Sequence, residues 1–143
     1  MAASDETDGV PTSDDVERAY RAYRQAKTRY LTTLARYSAA CADGEDPLFE
    51  TFSQDTATLR VLHALSVGYG LSDVIYQATT RSEVAQAQLR GLATKDDLHG
   101  GLTLTHKGVE MLRRWTDYIV PLTEAHPRYQ RLWRAVTELG NLP

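Results

Sequence analysis

The 143-residue sequence predicts a mainly α-helical chain carrying one small β-hairpin. Three observations point to this class. Residues 13 to 42 keep an apolar repeat at alternating steps of four and three. Residues 71 to 92 read as two short helices joined by a tight turn. Residues 98 to 104 set Gly100-Gly101 between leucines, and a helix start follows at once.

Residues 1 to 12 are small, acidic and polar, with Gly9 and Pro11, and are expected to form a mobile acidic tail. The formal net charge is -3, which looks unfavourable for a nucleic-acid partner until it is divided along the chain. Residues 1 to 15 hold Asp5, Glu6, Asp8, Asp14 and Asp15 and no base. The remainder carries 14 acids against 16 bases, a balance of +2. A mildly basic body permits a polyanionic partner without demanding one.

From Ser13 to Ala42 the pattern predicts one long helix. Val16, Tyr20, Tyr23, Lys27, Tyr30, Leu34, Tyr37 and Cys41 follow a 3.5-residue period, the coiled-coil spacing, with one polar break at Lys27. Such a helix is ~43 Å long at 1.5 Å per residue. A second copy of the chain would bury its seam economically, which predicts a homodimer. The alternative is packing along the chain's own C-terminal helices. Tyr20, Tyr23, Tyr30 and Tyr37 also admit a pocket for a small aromatic effector, although stripes at this spacing are more often packing. Arg18, Arg21, Arg24, Arg29 and Arg36 decorate the other faces, either as a solvated surface or as phosphate contacts.

Asp43-Gly44-Glu45-Asp46-Pro47 ends that helix and turns the chain. Leu48, Phe49 and Phe52 predict a turn of helix folded on the core. Asp55 or Thr56 then caps a helix with an apolar stripe of Leu59, Val61, Leu62 and Leu65, beside which His63 is expected half-buried. Gly68-Tyr69-Gly70 closes it.

Ser72 is placed to cap the next helix, with Val74, Ile75 and Ala78 on its apolar face. The turn is Thr79-Thr80. Thr80-Arg81-Ser82-Glu83 fits a capping box and opens a helix that runs to Leu92. At 100° per residue Val84, Ala85, Gln88, Leu89 and Leu92 fall inward, whereas Ser82, Glu83, Gln86 and Arg90 fall outward, with Arg81 in the first turn. Arg, Ser and Gln are the donors that read base edges in a major groove. Leu98 to Leu104 is expected to be a hairpin turning at Gly100-Gly101. Thr105 caps a helix from His106 through Val109, Leu112, Trp115, Ile119 and Val120 to Pro121. After His126-Pro127 a last helix carries Tyr129, Leu132, Trp133, Val136 and Leu139 and ends at Gly140. The two Trp residues of these C-terminal helices, Trp115 and Trp133, suit a large apolar interface.

The run Leu102-Thr103-Leu104-Thr105-His106-Lys107-Gly108 resembles the Leu-Thr-x-x-Gly motif after the wing in winged-helix regulators. Leu89-x-x-Leu92 followed by Leu98 resembles their recognition helix entering the wing. Residues 56 to 115 together resemble the winged helix-turn-helix core of the MarR and PadR type transcription regulators. The turn is shorter than that family's usual Ala-x-x-Leu-Gly-hydrophobic-Ser pattern. The hairpin carries His99 and no Arg, with Lys95 and Lys107 at its shoulders.

The resemblance implies a winged helix-turn-helix core at 55–115, flanked by a dimerisation helix at 13–42 and C-terminal dimerisation helices at 116–143. These make one DNA-binding domain over 13–143. It implies a sequence-specific transcription regulator, a homodimer on a palindromic operator of double-stranded DNA. Arg81, Ser82, Gln86 and Arg90 are the base-edge candidates, with Gln88 poorer because it turns inward. Thr79, Thr80, Ser72, Lys95, His99 and Lys107 are the phosphate candidates. A winged helix that binds protein and never DNA is the alternative. No membrane partner is expected, since no apolar run spans a bilayer and the N-terminus lacks signal-peptide character, so a cytoplasmic location is expected. His63, His99, His106 and His126 have no metal-ligand spacing, and Cys41 is alone, so no metal, cofactor or disulfide is expected. The Asp43, Glu45 and Asp46 carboxylates favour Cys41 as a buried spacer over a redox sensor. With no phosphate loop, nucleophile elbow or carboxylate pair, an enzyme is not expected.

Overall fold

The computed structural model describes residues 9–42, 44–68, 81–95 and 101–138. The expected helix at 71–78, the Thr79-Thr80 turn with its capping box, and the Gly100 half of the Gly-Gly turn lie outside these residues, as do most of the acidic tail and Gly140. The chain divides into two units, Met1–Ala39 and Ala40–Pro143.

The first unit is a helix, α1, Ser13–Ala40. Thr12 and Asp15 cap it reciprocally: Thr12 N donates to Asp15 Oδ2 at 2.8 Å, and Asp15 N donates to Thr12 Oγ1 at 3.2 Å. Those bonds, with Arg18 beside them, hold the Asp15 carboxyl below its usual pKa. At 28 residues α1 is ~42 Å long, close to the expected extent.

The second unit is mainly helical with one two-stranded antiparallel sheet. Asp46 caps α2, Pro47–Gln54, by accepting from Phe49 N at 3.0 Å, and Pro47 occupies the first turn, where its missing N–H costs nothing. Next comes α3, Thr56–Ser66, the helix the unit gathers around. Its Leu59, Val61, Leu62 and Ala64 are fully buried, and it packs on α4, Arg81–Leu89, on the strand Leu102–Leu104 and on both C-terminal helices. His63 is half-buried as expected, and burial lowers its imidazole pKa.

Two strands follow α4: β1, Ala93–Lys95, and β2, Leu102–Leu104. They pair antiparallel with Ala93 opposite Leu104 and Lys95 opposite Leu102. The expected hairpin began at Leu98, five residues too late. Ala93 and Leu102 instead anchor the pair in a cluster with Val61, Ala64, Val84 and Ala87, so burial fixes the first strand nearer the helix.

Thr105 caps α5, His106–Ile119, by accepting from Gly108 N at 3.1 Å. The helix gives way to a 3-10 turn, Val120–Leu122, because Pro121 cannot donate to it. The last helix, α6, Pro127–Thr137, starts on an imidazole cap, with Arg128 N donating to His126 Nδ1 at 3.1 Å.

The aromatic residues of α5 and α6 are largely spent inside the single chain. Trp115 is 1% exposed and stacks on Trp133 with ring centroids 5.5 Å apart. Trp115 is thus occupied within the chain, and the open apolar surface lies elsewhere. Asp46 is 3% exposed. Its Oδ2 accepts from Tyr118 at 3.2 Å and from Tyr129 at 3.0 Å, with the Arg128 guanidinium 3.5 Å away. Arg128 also lies over the Tyr129 ring, and Phe52 stacks on Tyr118. One carboxylate therefore joins α2, α5 and α6. Burial, and then the Asp46 charge, push the Tyr118 phenol pKa far above its usual value.

Candidate nucleic-acid interface

The outward surface of α4 depends on how that helix ends. Gly91 takes the left-handed conformation at φ 74°. Leu92 N then donates to Ala87 O at 2.9 Å and Gly91 N to Gln88 O at 3.0 Å, the Schellman pattern. The carbonyls of Arg90, Gly91 and Leu92 are closed by the Leu-Thr-x-x-Gly segment. Lys107 Nζ donates to Arg90 O at 3.0 Å, Thr105 Oγ1 to Gly91 O at 2.5 Å, and Thr105 N to Leu92 O at 3.1 Å. Gly108 must be glycine, because a Cβ there would run into the Leu92 carbonyl oxygen. The motif is a clasp that fixes the C-terminal end of α4 against the first turn of α5.

Val84 and Ala87 point into the core, and Gln88 is half-buried. Ser82, Ala85, Gln86 and Leu89 are exposed, Leu89 to 80%. Ala85 and Leu89, expected inward, are therefore outward. The expected face included Leu92, but Leu92 lies beyond the left-handed Gly91 and no longer follows the 100° wheel. Omitting it and weighting the Val84/Ala87 pair would have turned the face correctly.

The ten sequence-derived site residues divide into three groups. Ser82 and Gln86 share the exposed face of α4, one turn apart, and Lys95 is exposed at the end of β1. Arg90 and Lys107 are engaged within the chain: Arg90 Nη1 lies 3.1 Å from Asp55 Oδ1 and 3.4 Å from Thr58 Oγ1, and Lys107 holds the Arg90 carbonyl. Ser72, Thr79, Thr80, His99 and the Arg81 side chain lie outside the described residues.

What this surface offers is a hydroxyl and a carboxamide, each donor and acceptor, with Leu89 at the C-terminal end of the same face. That set matches base edges: Gln pairs with adenine, Ser with either partner, and an aliphatic group meets the thymine methyl.

The other unit carries its own surface. Val16, Tyr20, Tyr23 and Tyr30 of α1 are exposed, Val16 to 60%. Tyr20 and Tyr23 stack with centroids 6.3 Å apart, and Arg24 and Lys27 lie over their rings. With Thr28 and Leu31 these four line a groove of about 340 Å³. Cys41, the lone thiol, is partly buried.

Comparisons with protein-family models, with curated proteins and with solved structures return no match. Among the described residues no cluster of His, Cys, Asp and Glu could hold a metal ion, and no helix is long and apolar enough to cross a membrane.

Proposed function

We propose that the chain is a sequence-specific, double-stranded-DNA-binding transcription regulator of the winged helix-turn-helix type. It acts in the cytoplasm as a homodimer on a palindromic operator. The observation that carries this reading is α4 itself: a nine-residue helix clasped at its end, adjoining a two-stranded hairpin, with Ser82 and Gln86 on its open face. Here α4 enters the major groove, Lys95 meets phosphate, and Arg90 acts from its Asp55 tether by setting the helix angle. The exposed seam of α1 supplies the dimer contact, placing half-sites about one helical turn apart, ~34 Å.

The decisive experiment is fluorescence-anisotropy titration of the protein with a randomised duplex pool at two salt concentrations, followed by selection and sequencing of the retained DNA. Recovery of a palindrome is the expected result and reports the half-site spacing directly. Absence of binding even at low salt would overturn the reading.

A second reading is favoured by one observation. Leu89 stands 80% exposed at the C-terminal end of the α4 face. A leucine there also suits a protein groove, which makes the unit a protein-binding winged helix. Binding without counterion release would separate it from the first.

A further inference from the structure

We propose that the outer face of α1 is a second nucleic-acid contact, a stripe of guanidinium and hydroxyl groups that grips duplex phosphates independently of α4. The choice of DNA among polyanions rests on the regulator reading above.

The helix has two long faces. At 100° per residue, Val16, Tyr20, Tyr23, Tyr30 and Leu34 gather on one side. Arg18, Arg21, Gln25, Arg29, Thr32 and Arg36 gather about 180° away, all of them exposed. Whatever covers the tyrosine seam therefore leaves the arginine stripe facing outward.

An ordinary solvated helix carries both signs, with acids and bases paired three or four residues apart. This one does not. Residues 18 to 40 hold six bases and no acid. The acids of α1 are confined to Asp14, Asp15 and Glu17, and Arg18 pairs with Asp15. Among the described residues the side chains of Arg21, Arg29 and Arg36 make neither ion pair nor hydrogen bond. Arg18 and Arg24 flank Arg21 three residues away, a like-charge spacing that costs a helix a few tenths of a kcal/mol each, and Arg29 and Arg36 have no acid of α1 within four residues. A polyanion would supply the missing counter-charge.

Geometry and chemistry both suit phosphate. From Arg18 to Arg36 the stripe is ~27 Å long, and a duplex of that length carries about 16 backbone charges. Arg24, Arg29 and Arg36 share with Gln25, Thr28 and Thr32 a shallow groove of about 530 Å³. Guanidinium forks take phosphate oxygens in pairs, and hydroxyl and carboxamide groups add neutral donors. An anionic membrane is the weaker match. It would require the opposite face to sink into lipid, and that face is mostly tyrosine with the Lys27 ammonium at its centre.

The test compares the full-length protein with the triple variant Arg21→Gln/Arg29→Gln/Arg36→Gln, and with Gln86→Ala, on the selected motif and on random duplex. Glutamine is nearly as good a helix former as arginine, and circular dichroism checks that α1 persists. The triple variant should weaken both duplexes by the same factor and lower the slope of log K against log salt by about 3 for each protomer bound. Gln86→Ala should weaken the motif alone. The triple Arg→Lys variant keeps the charges and should keep the slope, which guards against a folding artefact.

An unchanged slope in the glutamine triple, with motif binding intact, would overturn this proposal and leave the regulator reading standing. Salt-sensitive binding without a motif, lost in the triple, would support the stripe and overturn sequence-specific regulation. No duplex binding by the wild-type protein would overturn both. Loss, in the triple, of binding to phosphatidylserine-containing vesicles with no effect on DNA would overturn this proposal alone.

Discussion

The Arg90 guanidinium lies 3.1 Å from the Asp55 carboxylate, a pair 35 residues apart that ties the C-terminal end of α4 to the start of α3. Asp55 precedes α3 in sequence, yet its side chain caps no α3 amide. It serves Arg90 instead. A residue that sequence logic places at a base edge is thus held by its own chain, and Gln86 stays on the exposed face with Ser82 one turn away.

This relationship separates two variants. Arg90→Ala should cost only ~0–1 kcal/mol in stability, because both partners are partly solvated. It should weaken binding to every duplex through a loosened α4. Gln86→Ala should leave urea denaturation unchanged and lose ~1–3 kcal/mol of discrimination at one base pair. Denaturant midpoints together with binding to motif and mismatched duplexes check both. A free-reader role for Arg90 would show instead as a loss confined to one position of the site.

The clasp on α4 makes Gly108 and Thr105 the sensitive points of the hairpin region. Gly108→Ala gains about 1 kcal/mol of helix propensity. That gain is outweighed by the collision with the Leu92 carbonyl, for which overpacking costs of ~1–3 kcal/mol are the guide. The net should be destabilising, read as a lower Tm. Thr105→Ala removes an N-cap and should cost ~1 kcal/mol. A Gly108→Ala protein more stable than wild type would disprove the close approach.

At the other pole, Asp46 is a buried carboxylate shared by two phenols and a guanidinium. Asp46→Ala strands Arg128 and should destabilise the chain by ~3–5 kcal/mol, the scale for breaking a buried pair from one side. The Tyr118 phenol has its pKa raised from 10.0. The sign follows from which form folding favours: the protonated phenol is preferred in the native state. Its contribution is therefore complete below pH 10 and is lost as pH rises past that value. Tyr118→Phe should be less stable than wild type at pH 7 yet lose less stability between pH 9 and 11. Urea titrations across that range would reveal it.

If the α1 seam joins two copies, charges on its open tyrosines should separate them. Tyr20→Glu/Tyr23→Glu should yield a monomer by sedimentation velocity, with the helix retained by circular dichroism. Binding to a two-half-site operator should then fall towards that of a single half-site. A variant that remains dimeric would move the interface elsewhere.

How much of this was legible in the sequence depends on how local the cause was. The Thr105 cap with its Gly108 donor, the stop before Pro121 and the length of α1 each follow from a few neighbouring residues, so spacing alone revealed them. Gly108 stood out as part of a motif, but only the backbone of Leu92 crossing above it supplies the reason. Ala85 and Leu89 were misplaced because a nine-residue helix with few large apolar side chains leaves its facing to the surfaces around it. Here Val61, Ala64 and Leu102 chose Val84 and Ala87. β1 moved to Ala93 under the same pull. Asp46 read as a turn residue and a charge near Cys41, since its partners Tyr118 and Tyr129 lie 72 and 83 residues away. Periodicity and caps are properties of the chain; which face is buried, and which charge is shared, are decided by elements that meet only on folding.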